Sequence, residues 1–395
     1  SQGAFSFRLP LRNSASAIVT AFLAGLLLAA IYGPGLQGGF FFDDAPSILQ
    51  AEGVRLERLS AESLREALAS GRSGPSGRPV AQLSFAANHF FSGFDPYAFK
   101  VTNLVIHAFC CLLIFSLTLR MLAASQRWAP PRRHALLFAG LVAVLWLLHP
   151  LQLTPVLHVV QRMTSLSALF LLGALLLHVI ARERGGRLGA LGLALAWGVL
   201  WPLSFFSKET GVLFPLFALA WELIVRRSAH GGLDRFARLL ATATVLAAVA
   251  GVAYGLSPAG RWLWAGYELR SFSLPERMLT EGRVLWFYLG LMVLPRLEAL
   301  GLYHDDIAVS TSLLEPWTTL PALVGLAGLA WLAWRTRIQA PLLSFGIVWF
   351  LVGHGLESTV LPLEIAHEHR NYLPLFGILL ACVWGLARLL ERGGP

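Results

Sequence analysis

The chain has 395 residues, 56% of them hydrophobic and only 13% charged, and its mean hydropathy is +0.64. Soluble domains carry about 25% charged residues, so the composition excludes an ordinary soluble protein and predicts an integral membrane one. A formal charge of +9 would suggest nucleic acid in a soluble chain, but these arginines fall between apolar blocks, where the positive-inside rule accounts for them.

Apolar blocks of roughly 17–25 residues, long enough to cross about 30 Å of hydrocarbon, recur from end to end. They predict spans at 14–33, 99–122, 135–149, 164–181, 189–206, 211–225, 239–256, 319–334, 341–354 and 372–388, with a weaker block at 284–300. The expected fold is an all-α polytopic membrane protein, a bundle of about 10 transmembrane helices forming one domain over 1–395. The first block follows Arg8 and Arg12. Its length, and the spans behind it, indicate an uncleaved first span rather than a signal peptide. Cys110, Cys111 and Cys382 lie inside apolar blocks, with neither metal-ligand nor disulfide spacing.

Orientation follows from the basic connections, which hold Arg127, Arg132 and Arg133, then Arg182, Arg184 and Arg187, then Arg226, Arg227, Arg235 and Arg238, and last Arg335 and Arg337. Placed in the cytoplasm, they leave 34–98, the turn near 150–163, 207–210, 257–283, 301–318 and 355–371 on the outer side. The block at 284–300 must then have both flanks outside. With Pro295, Arg296 and Glu298 it either dips in and returns as a re-entrant segment or forms two short helices, which is tolerated where protein or water surrounds it. In the long first extracytoplasmic loop, 34–98, the stretch LSAESLREALAS (59–70) sets Leu59, Leu64 and Leu68 at helical spacing opposite Glu62 and Glu66. It predicts an interfacial helix capped by Ser60. GRSGPSGRP (71–79) follows as a turn-rich link.

Charge at membrane depth is costly and marks function, and the polar groups here gather at the outer ends of the spans. Asp43, Asp44, Arg78, Asn88, His89, His107, His149, His158, Gln161, Arg162, Lys208, Glu209, His304, Asp305, Asp306, Glu357, Glu364, His367, Glu368, His369 and Arg370 come from almost every outer connection. In a bundle they can converge on one outward cavity. Its cations suit a phosphate. Its carboxylates suit deprotonation of a hydroxyl or binding of a divalent metal. Together with the membrane setting they suggest group transfer from a lipid phosphate.

Individual motifs admit two readings each. In FFFDDAPS (40–47) the neighbours Asp43 and Asp44 point apart, so one can face the reaction while the other holds a backbone amide, an arginine or a metal; the plainer alternative is an acidic cap after an aromatic belt. Lys208, in a tight turn, is a functional cation or the partner of Glu209. His149-Pro150 binds substrate or simply breaks a span. Arg162 is a phosphate ligand or snorkels to headgroups. In EIAHEHR (364–370) the HxH spacing reads as an ionic cluster that binds substrate or holds the loop, with a metal site as the alternative. There is no Gly-rich phosphate loop of P-loop spacing, so no nucleotide cofactor is expected.

The ordered series of Asp43-Asp44, Arg78-Pro79 with Asn88 and His89, Asn103 and His107, His149-Pro150, Gln161-Arg162 with LSALF (166–170), SKE (207–209) with Pro215 and Glu222, and ESTVLPLEIAHEHRNYLP (357–374) resembles the membrane portion of the TMTC-type O-mannosyltransferases and their bacterial relatives, within the GT-C glycosyltransferase superfamily. The resemblance covers nearly all of the chain. It implies a GT-C-like bundle in a bacterial inner (cytoplasmic) membrane, with an extracytoplasmic active site. It implies inverting transfer of a sugar, mannose in the animal members, from a polyprenyl-phosphate-linked donor to a protein Ser/Thr hydroxyl, with a glycan or lipid acceptor left open. Asp43 or Asp44 would be the base, Asp43 slightly ahead, and any divalent cation would fall to Asp44. Lys208, Arg162 and Arg370 would hold the donor phosphate. Arg78, Asn88, His89, His107, His149, Glu209, His304, Asp305, Glu357, His367 and Glu368 would bind the rest of the substrate. TMTC-type proteins continue into tetratricopeptide repeats, which this chain, ending at Pro395, lacks; either they lie outside it or this is a minimal form. The rival classes are a membrane transporter of a lipid-linked or anionic substrate and a non-catalytic membrane subunit.

Overall fold

The computed structural model describes residues 14–125 and 130–392. Arg8 and Arg12, which precede the first block, and Arg127, used above for orientation, lie outside them. Among the described residues every regular element is helical.

Five helices are long and apolar enough to cross a membrane, namely Pro96–Ala124, Val159–Arg184, Gly186–Ser207, Arg235–Leu256 and Pro374–Arg392. A sixth crossing exists if Arg133–Leu148 and Pro150–Leu157, bent by 55° at His149-Pro150, count as one. The expected bundle of about 10 is therefore corrected to a multi-pass bundle of five or six such helices among the described residues. Block composition measured apolarity, whereas a crossing needs about 20 continuous helical residues. The block at 211–225 opens on a 3₁₀ turn, Glu209–Leu213, so its helix starts only at Phe214 before running on through the π-helical turn Trp221–Arg226. Pro341–Gly353 is only 13 residues long. Thr319–Thr336 has 18 but carries Trp331, Trp334 and Arg335 near its end. The first block forms Ser14–Leu36, of which Gly25–Leu36 stands as a short apolar helix.

The weak block at 284–300 belongs to one continuous 20-residue helix, Leu274–Val293, started by a capping box between Ser273 and Glu276. The chain then returns along it. Arg283 donates to Ala308 O at 2.6 Å, and Ser310 N donates to Thr280 Oγ1 at 2.8 Å. Residues 308–310 thus come back beside the middle of this helix, and the first half of the block is part of one long helix rather than a short one of its own.

The core gathers Trp146, Trp349, Phe217, Tyr288 and Phe376, all fully buried. Helices Pro341–Gly353 and Pro374–Arg392 approach closely through Gly346 and Gly377. A Cβ on Gly346 would sit 2.3 Å from Gly377 O, the small-residue contact common between membrane helices.

Candidate functional site

The acidic pair divides. Asp44 is fully buried. It accepts from Val160 N at 2.7 Å and from Phe41 N at 3.1 Å, with His158 Nε2 3.6 Å away. Burial raises its pKa, opposed by His158 and the two amides. This carboxylate holds the loop to the start of helix Val159–Arg184. Asp43 is exposed, and no side-chain hydrogen bond or ion pair engages it among the described residues. It follows Phe42, whose φ of 48° lies in the left-handed region. A bulky residue there is strained by roughly 1–3 kcal/mol, a cost found at functional positions. Asp44→Asn keeps one acceptor oxygen for two amides and is expected to cost about 1–3 kcal/mol, read as a lower Tm in detergent.

The cations meet elsewhere on the same chain of contacts. Lys208 Nζ lies 2.8 Å from Glu357 Oε1 and donates to Thr164 Oγ1 at 3.0 Å. Burial lowers its pKa, Glu357 opposes that, and the charges of Arg78 and Arg370 add to the lowering. Burial would raise Glu357, but Lys208 and Arg370 overcome it and hold the carboxyl below its usual range. Lys208, Glu357, Arg78 and Arg370 therefore share one field. Glu209 does not pair with Lys208. It takes Arg78 Nη2 at 2.9 Å and Ser76 Oγ at 2.7 Å. The link at 71–79 wraps around this carboxylate so tightly that a Cβ on Gly74 would meet Glu209 Oε1 at 2.3 Å. Arg78 itself adopts a left-handed φ of 51°.

His367 and His369 stack with ring centroids 5.1 Å apart. Burial and then Arg370 push His367 down to about 4. His369 falls well below its usual value through burial, Lys208 and His367, with His158 also contributing. Both rings are thus held neutral, and His158 connects this field to Asp44. Glu368 ties neighbouring segments by accepting from Gly301 N at 2.6 Å and Thr154 Oγ1 at 3.2 Å, with His304 Nε2 at 3.6 Å. Asp305 is exposed on the returning segment. Among the described residues no three His, Cys, Asp or Glu side chains are grouped to hold a metal.

Other expected site residues lie apart from this field. Arg162 is fully buried. Its Nε donates to Asn103 Oδ1 at 2.7 Å, Nη1 to Ser84 O at 3.0 Å and Nη2 to Phe99 O at 2.9 Å, between the rings of Phe85 and Phe99. Such a guanidinium ties helices together and offers no open face to a phosphate. His107 bonds Tyr372 Oη and Leu147 O, both at 2.9 Å, inside the bundle. His149 accepts from Leu151 N through Nδ1, leaving Nε2–H for Met292 O at 3.1 Å. Asn88 donates to Ala98 O, and His89 bonds Leu56 O and packs on the Phe94 ring, all within the first loop region.

No family model matches the chain, and no solved structure matches it. Over 368 residues it is 24% identical to Protein O-mannosyl-transferase F38B6.6 of Caenorhabditis elegans, a match spanning 88% of this chain and 48% of that protein. This chain is a distant relative of the TMTC-type O-mannosyl-transferases. It is also 28% identical over 187 residues to Protein O-mannosyl-transferase TMTC1 of Mus musculus, covering 45% of this chain and 19% of that one. To Protein O-mannosyl-transferase TMTC4 of Homo sapiens it is 29% identical over 187 residues, 44% and 25% of the two chains. The chain thus spans about half the length of the first of these relatives and less of the others. For a chain related at this distance to the TMTC type, the link reaches only the GT-C superfamily.

Sequence reasoning missed Arg277 and Glu281. Arg277 donates to Glu357 O at 2.8 Å and Thr359 O at 2.9 Å, and pairs with Glu281 Oε1 at 2.7 Å. Arg370 Nη1 stands 3.8 Å from that same oxygen. These residues shape the loop that presents Glu357. The signal was present as Ser273-Leu-Pro-Glu276, a capping box that starts a helix inside what was read as loop.

Proposed function

We propose that this chain is the membrane-embedded part of an inverting glycosyltransferase. It would move a sugar, mannose by analogy with its named relatives, from a polyprenyl-phosphate-linked donor to a hydroxyl of a protein acceptor at the extracytoplasmic face of a bacterial inner membrane. The observation that carries the reading is the divided pair, with Asp44 spent on backbone amides and Asp43 open beside a strained Phe42.

In the proposed reaction Asp43 takes the acceptor proton. The freed oxygen bonds to the anomeric carbon as the bond from that carbon to the phosphate oxygen breaks, inverting the centre. The electron pair leaves on the polyprenyl phosphate, whose charge Lys208 meets directly, while Arg370, tied to Ile365 O at 3.0 Å and Glu364 O at 2.6 Å, adds positive charge from behind in a site screened from water. For this the donor phosphate displaces Glu357 from Lys208. Arg78 adds positive charge through the same field, and the neutral imidazoles of His367 and His369 are suited to sugar hydroxyls. Leu59, Leu64 and Leu68, exposed on helix Ala61–Ala69 or next to it, would rest on the membrane surface and hold the loop there.

Purified protein in liposomes, given polyprenyl-phosphate mannose and an acceptor peptide, tests the reading. Transfer without any ion gradient is the expected result; gradient-driven movement of the lipid with no glycosylated peptide would replace it with transport. Lys208→Ala is expected to weaken donor binding by about tenfold to a hundredfold, in keeping with a lost hydrogen bond to charge worth roughly 1.5–3 kcal/mol. Unchanged donor affinity would remove Lys208 from the phosphate site.

A further inference from the structure

Helix Leu274–Val293 turns a second face away from the charged field. Arg283, Trp286 and Thr318 form the mouth of a cavity there. Trp286 continues into a groove that is almost wholly apolar, floored by Gly290, Val293 and Leu329. Arg283 spends Nη1 on Ala308 O and Ser310 Oγ. Its Nε and Nη2 have no protein partner among the described residues, so a cation with spare donors stands over an oily slot.

We infer that this groove holds one anionic phospholipid of the surrounding bilayer, its phosphate on Arg283 and an acyl chain along Gly290 and Val293. Charge complementarity selects the headgroup. Length selects the source. From Arg283 to Val293 the helix rises about 15 Å, half of a hydrocarbon core of about 30 Å, which is one leaflet. A polyprenyl chain spanning more than a leaflet does not match it. The site does not rest on the transferase reading, because Arg283 and Glu281 leave the helix on different faces and Glu281, not Arg283, joins Arg370.

Gly290 supplies a clean test, since a Cβ placed there meets nothing within 4 Å and a larger side chain fills the groove without a clash. The full chain is reconstituted in nanodiscs of phosphatidylethanolamine and phosphatidylglycerol, released gently, and weighed by native mass spectrometry. The expected result is one retained phosphatidylglycerol, with retention falling at least tenfold in Gly290→Leu. Arg283→Gln should keep a lipid but lose the preference for phosphatidylglycerol over phosphatidylethanolamine. The inference is overturned if Gly290→Leu retains as much lipid as the parent, if Arg283→Gln keeps the headgroup preference, or if added polyprenyl phosphate replaces the phospholipid. Should Gly290→Leu fail to fold, the headgroup preference of Arg283→Gln decides alone.

Discussion

Asp43→Asn is expected to reduce sugar transfer by about 10²–10⁴-fold, the range contributed by a positioned general base, with no loss of thermal stability. The side chain is exposed and engages no partner among the described residues, so the isosteric amide removes a proton acceptor and little else. Its neighbour supplies the control. Asp44→Asn disturbs two buried amide contacts, so its effect should appear in Tm first and in turnover only as folded protein is lost. The comparison is made by normalising turnover to folded protein for both variants. If Asp43→Asn turns over normally, or if Asp44→Asn is stable and inactive, the roles of the two acids are reversed or absent.

Arg162→Ala is expected to destabilise the protein by about 3–5 kcal/mol while leaving donor affinity per folded molecule unchanged. The guanidinium makes three hydrogen bonds and fills the space between Phe85 and Phe99. Its removal combines lost hydrogen bonds to a charged group with a cavity between two rings. Arg162→Lys should recover little, because one ammonium cannot serve Asn103, Ser84 and Phe99 in the planar fork geometry. A stable Arg162→Ala protein with weakened donor binding would return this residue to the phosphate site.

These two residues illustrate what could be read before the fold. In the sequence both are polar groups near the outer end of a span, and expense at membrane depth flags both alike. The flag reports that a buried charge must have partners, but not whether those partners are protein or substrate. The same ambiguity covers His107 and His149, whose bonds to Leu147 O and Met292 O come from segments far away in the chain. Lys208 shows it in another form. Adjacency suggested Glu209, but the tight turn sends the two side chains apart, to Glu357 and to Arg78.

By itself, the sequence determined that this chain is an all-helical membrane protein, where along the chain its polar groups concentrate, and that it is distantly similar to an O-mannosyl-transferase. Those properties are carried by composition and local order, which hydropathy and charge express directly. Only the tertiary structure decided how many helices are long enough to cross, because the 3₁₀ turn Glu209–Leu213 takes the start of one apolar block out of the helix and Pro341–Gly353 stops after 13 residues, although both blocks remain apolar. Only it separated Asp43 from Asp44 and joined Lys208 to Glu357, since a buried charge is satisfied by whichever partner the packing brings within about 3 Å, and that proximity is a property of the fold rather than of neighbours in sequence.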